Sequence, residues 1–99
     1  MVKQTHHFKN QLNERIGLDW DELNAKYDSE VYIAGSSTPH RIVRKKMQRY
    51  PNQDFIVFPE ANLFAARGEN GVLVTAMYLD GRWGYKDRPY DPKKHYGNK

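Results

Sequence analysis

The sequence predicts an α+β fold: two N-terminal helices, a strand–helix–strand unit and an antiparallel β-meander, with the helices on one face of a four- to five-stranded sheet. Three observations carry this. Apolar residues recur with helical period over 5–27 and again over 41–50. Short β-branched and aromatic runs fill 30–35, 54–58, 63–67, 72–79 and 82–86. Turn residues separate the later runs at intervals too short for helices, which favours strands paired with their chain neighbours.

Phe8, Leu12 and Ile16 lie at i, i+4 and i+8, one face of a helix running from about Thr5 to Ile16. Gly17 follows, where a left-handed residue is wanted, with apolar Leu18 next. Asp19 starts a second helix, and Glu22 three residues on has capping-box spacing. Trp20, Leu23 and Tyr27 share its apolar face, and it stops near Tyr27.

Glu30 to Gly35 has no helical period and reads as a strand. Thr38 is the expected N-cap of a third helix, with Pro39 in its first turn. That helix runs to about Tyr50 and is stopped by Pro51. Asp54–Phe58 is a short apolar strand that could run parallel to the strand at 30–35 through a right-handed crossover. Leu63–Arg67 and Val72–Leu79 are strands flanking the turn Gly68-Glu69-Asn70-Gly71. Asp80-Gly81 is a hairpin signal that returns the chain through Arg82-Trp83-Gly84-Tyr85-Lys86. The division expected is one compact domain over 1–86 and an extended basic tail over 87–99.

Composition bounds the function. There is no cysteine, which excludes disulfides, thiolate metal sites and cysteine nucleophiles. No apolar run approaches membrane-spanning length and no secretory h-region opens the chain, so the expectation is a soluble, cytoplasmic protein. Among His6, His7, His40 and His95 the adjacent pair His6-His7 points to different sides of a helix, and no metal or cofactor is expected. Val31–Gly35 is similar to the opening strand of nucleoside deoxyribosyltransferase-like proteins, and Phe58-Pro59-Glu60-Ala61 resembles their second-strand end. Ser36 stands where that pattern has proline and no catalytic carboxylate region follows, so no family is assigned.

The net charge of +4 is unevenly spread. Residues 31–50 hold five bases and no acid, and residues 82–99 six bases and two acids. On the third helix, Arg41, Arg44, Lys45 and Arg49 form a stripe opposite Ile42, Val43, Met47 and Tyr50, with Lys46 on the boundary. Arg41–Lys45 and Lys45–Arg49 are like-charged i, i+4 pairs, each costing about 0.2–0.5 kcal/mol. A self-repelling stripe suits a polyanion, DNA or RNA, held through its phosphates. An acid from the first thirty residues, such as Glu14 or Asp21, would instead neutralise it. Ser36, Ser37 and Thr38 could add contacts to one phosphate or simply cap the helix. In the last segment Trp83, Tyr85 and Tyr90 alternate with Arg82, Lys86, Arg88, Lys93 and Lys94, a pattern suited to stacking and phosphate contact or to a protein interface.

Three functions stay open. The first is a small non-enzymatic accessory protein that binds nucleic acid. The second is a protein-binding inhibitor or adaptor, of the kind viruses and mobile elements encode, acting on a host enzyme or complex. The third is a metal-independent ribonuclease using His, Tyr, Arg and Glu around a phosphate.

Overall fold

A computed structural model describes residues 2–80. Its elements run α1 (His6–Ile16), α2 (Trp20–Lys26), β1 (Glu30–Tyr32), α3 (Arg41–Arg49), β2 (Asp54–Phe58), a 3-10 turn at Pro59–Ala61, β3 (Leu63–Arg67) and β4 (Leu73–Tyr78). The α+β class and the element order are those expected. The projected strand at 82–86 and the tail lie outside the described residues.

Local chemistry sets the helix ends. The Thr5 hydroxyl accepts from Phe8 N–H, and Gly17 closes α1 at φ 73° with its N–H on Asn13 and Leu12 carbonyls. Asp19 and Glu22 form the reciprocal capping box, both bonds 2.8 Å long. At α3 the expectation fails. His40, not Thr38, is the N-cap, and no side chain caps the helix. The buried Thr38 hydroxyl accepts from His40 N–H at 3.2 Å, a local turn that holds the helix start two residues later than Pro39 would set it.

The sheet is antiparallel throughout, in the order β1-β2-β3-β4. The parallel crossover considered for β1 and β2 is therefore absent. Glu30 pairs with Val57 and Tyr32 with Phe55. The exit from β1 and the entry to β2 thus meet at the same end of the sheet, and α3 is a closed excursion between them. Asp54 pins the two ends together: its Oδ1 accepts from Ala34 N–H at 2.8 Å, and its Oδ2 accepts from Arg67 Nε and Nη2 at 3.2 and 3.0 Å. β1 is shorter than expected because the chain turns at Gly35, φ 83°, with Ser36 N–H on Ile33 O.

The helices do not share one face. Phe8, Leu12 and Leu23 from α1 and α2 pack with Ile56, Phe58, Leu63, Ala65, Leu73, Ala76 and Tyr78. Val43 and Met47 from α3 pack with Phe55, Val57, Phe64 and Ala66 on the opposite side. The reason is in the central strands. Phe55-Ile56-Val57-Phe58 and Leu63-Phe64-Ala65-Ala66 are apolar at every position and all buried, so both pleat faces need cover. One extra residue on β4, Val74, falls between the pairs Ala66–Thr75 and Arg67–Leu73 as a bulge.

The outer side of β4 is occupied at two points. Leu73 donates to Lys3 O and accepts from Thr5 N–H, at 2.9 and 3.0 Å, so the N-terminal segment runs beside the strand. Gln11 of α1 then offers one carbonyl oxygen to both Ala76 N–H and the Thr75 hydroxyl, at 2.8 and 2.9 Å.

Candidate nucleic-acid interface

The amphipathic pattern of α3 fixes which side chains face water. Val43 and Met47 are buried and Ile42 half-buried, so the helix is docked by that stripe. Arg41, Arg44, Lys45 and Arg49 are exposed, and Lys46 is half-buried as its boundary position requires. Tyr50 departs from the apolar stripe to which its position assigns it: it is 41% exposed, just past the end of the helix.

The four cations are not equivalent. The Arg44 Nη1 donates to the carbonyls of Thr38 and Pro39, at 3.2 and 2.9 Å, tying the approach segment to the helix. Arg49 sits over the Tyr50 ring at 5.8 Å. Among the described residues, no carboxylate forms a salt bridge with Arg41, Arg44, Lys45 or Arg49. Glu14 and Asp21, the acids considered as neutralising the stripe, belong to α1 and α2 across the sheet. Arg41 and Lys45 also line a groove of about 470 Å³ with Pro39, His40, Ile42, Leu79 and Asp80. A second cavity of about 250 Å³ lies farther along α3, lined by Lys46, Tyr50, Gln53, Phe55, Phe64, Ala66, Val74, Thr75 and Met77.

A polar cluster that the sequence reading missed stands beside the helix start. Glu30 Oε1 accepts from the Tyr32 hydroxyl at 2.6 Å and lies 2.9 Å from His40 Nε2. The Tyr32 and His40 rings meet edge to face at 5.9 Å. The Tyr32 hydroxyl first, and then His40, hold the Glu30 carboxyl below the usual carboxylate range. The same carboxylate pushes the Tyr32 phenol up. Glu30 and Tyr32 share a pleat face at spacing two, which the sequence could have signalled; their approach to His40 depends on the excursion between β1 and β2 and is not a local signal.

Ser36 and Ser37 are exposed, and with the helix start moved to Arg41 they precede it by several residues. The expected C-terminal contributors, Arg82, Trp83, Tyr85, Lys86, Arg88, Tyr90, Lys93 and Lys94, lie outside the described residues. Among the described residues no group of three His, Asp or Glu side chains could hold a metal ion, and no helix is long and apolar enough to cross a membrane.

The chain is thus an α+β protein with one antiparallel meander between two helical layers and an exposed basic helix face. No protein family matches it, and neither does any curated protein or solved structure.

Proposed function

We propose that this protein binds nucleic acid through the phosphate backbone, with Arg41, Lys45 and Arg49 of α3 as the principal contacts. The single observation that carries this reading is a helix face of exposed cations that form no salt bridge among the described residues, with Asp80 the one acid lining the groove of Arg41 and Lys45. Helix rise spaces those three cations about 6 Å apart along the axis, a linear array suited to successive phosphates. Arg44 serves mainly to brace the helix start. Arg82, Lys86, Arg88, Lys93 and Lys94 would extend the positive field, and Trp83, Tyr85 and Tyr90 could stack on bases. The test is a salt titration of binding. Three to four phosphate contacts give a slope of log K against log salt of about −3 to −4 on B-DNA, or about −2 to −3 on a single strand. Reversing Arg41, Lys45 and Arg49 to Glu abolishes binding while the protein stays folded; retained binding rejects the stripe.

A second reading has its own observation. Val31 is 55% exposed on β1, an edge strand among the described residues, and Ile33 just past its end is 62% exposed, so strand addition by a partner protein is available there. An inhibitor or adaptor acting on a host enzyme would use that edge rather than a sheet face, since helices cover both. Stoichiometric capture that survives nuclease treatment and is lost in Val31→Lys supports it. Glu30, Tyr32 and His40 are the residue types of a metal-independent ribonuclease, but the carboxylate is engaged by both neighbours. RNA should stay intact in EDTA; cleavage lost in His40→Ala would instead establish an enzyme.

A further inference from the structure

We infer that the cavity beside the C-terminal half of α3 receives a single unstacked base, so that the ligand is single-stranded nucleic acid rather than duplex. This rests on the phosphate-binding reading of α3 and deepens it. Three observations converge on the site. The cavity is about 250 Å³, walled by Tyr50 on the helix side and floored by Phe64, Val74 and Met77 of the sheet. Its apolar lining is met by three polar side chains, Lys46, Gln53 and Thr75; the Thr75 hydroxyl is engaged by Gln11, which leaves Lys46 and Gln53 for the polar edge of a base. The cationic stripe reaches the lining residue Tyr50, because Arg49 is adjacent to it and its guanidinium sits 5.8 Å from that ring.

The chemistry selects the ligand. A base joined to a phosphate chain is a flat apolar-faced ring with a polar edge and an anion within one nucleotide. The site offers the matching parts in that order: an aromatic face, an amide, and the cations Lys46 and Arg49. Tyr50, just past the end of α3, is 41% exposed, so its ring is available for stacking. Bases within a duplex are stacked and paired and reach such a cavity only by flipping out, at a cost of unstacking. A single strand needs no such step, and stacking on aromatic side chains is tolerant of sequence. A peptide with an apolar side chain could also fill the space, but Lys46 in the lining and Arg49 over the Tyr50 ring, continuous with the stripe of α3, favour a ligand that carries a negative charge at every unit.

The test is fluorescence anisotropy with the full chain and three probes of equal length: a single-stranded oligothymidylate, a duplex, and an abasic sugar–phosphate oligomer. The expected result is that the single strand binds at least about tenfold more tightly than the abasic oligomer, the scale of one base–aromatic stack. The duplex binds more weakly than the single strand at the same salt. Tyr50→Ala brings the single strand down to the abasic level, while Tyr50→Trp retains binding; thermal unfolding of both variants confirms that they fold. Ala66→Leu, which narrows the cavity from the sheet side without touching the stripe, weakens the single strand and leaves the abasic oligomer unchanged. Equal affinity for all three probes, with salt dependence and sensitivity to Arg41, Lys45 and Arg49 reversal intact, overturns the base cavity and leaves the phosphate reading standing. Binding of none of the probes overturns both.

Discussion

Gly17 and Asp19 separate α1 from α2 by chemistry that is local to three residues. The glycine takes φ 73°, a conformation costing other L-residues roughly 1–2 kcal/mol, and the aspartate closes a capping box. Asp19→Ala removes one of the two reciprocal bonds from a seven-residue helix and should cost about 1 kcal/mol in denaturant unfolding. Glu30 gives a pH signature at the same scale. Its carboxyl is held low in the folded protein, so its stabilising effect is complete above the ordinary value near 4.5 and fades as pH falls through the lowered folded value. Tyr32 is held high, so its contribution is complete below the ordinary value near 10.0 and fades as pH rises through the raised folded value. The stability difference between the native protein and Glu30→Gln should therefore shrink as pH falls below the lower limit and as it rises above the upper one, as chemical denaturation across pH will read out. These caps were legible in the sequence because spacing alone specifies them. The Thr38 cap was misread because its hydroxyl had a competing local partner in His40 N–H, and both arrangements use the same residues.

For whole elements, α3 sets stability against binding. Lys45 has like charges four residues away on each side, so Lys45→Glu replaces two repulsive pairs with two attractive ones. It should stabilise the protein by about 1 kcal/mol in denaturant titration while weakening nucleic-acid binding and lowering the salt slope. A variant that gains stability and keeps full binding would rule the stripe out as a contact surface. Gln11 has the opposite weight. Gln11→Ala leaves Ala76 N–H and the Thr75 hydroxyl without their shared acceptor and should cost about 1–3 kcal/mol. Periodicity defined α1 and α3 and the spans of β2 and β3, because those segments are uniform along their length. It could not show that Gln11 reaches a backbone group more than sixty residues away, since a side chain closing a strand edge leaves no periodic trace.

Across the whole molecule, one sheet divides two apolar clusters that face away from each other. Substitutions on opposite sides share neither a cavity nor a hydrogen-bond network, so Leu12→Val and Val43→Ala should each cost about 1–2 kcal/mol and add to within about 0.5 kcal/mol. Strong coupling between them would show that the sheet transmits strain. The class of fold and its chain order were readable because consecutive strands with short turns have few arrangements. The direction of β2 relative to β1 was not, since a nine-residue helix with flanking loops can either cross the sheet or return to its starting end. The two-sided packing did have a signal, the unbroken apolar runs of β2 and β3. The same topology places the acids of α1 and α2 across the sheet from the stripe, a separation of charge that no block-by-block count along the chain contains.

The occupied side of β4 has a consequence for assembly. Backbone pairing that propagates needs two open sides on every unit, one to give and one to receive. Among the described residues, Lys3, Thr5 and Gln11 fill positions on one flank, while β1 is an unpaired edge on the other. Copies joining through β1 would meet like to like about a two-fold axis and stop at a pair. Trimming away the N-terminal segment should therefore turn a self-limiting contact into one able to grow into fibres, which light scattering will read out.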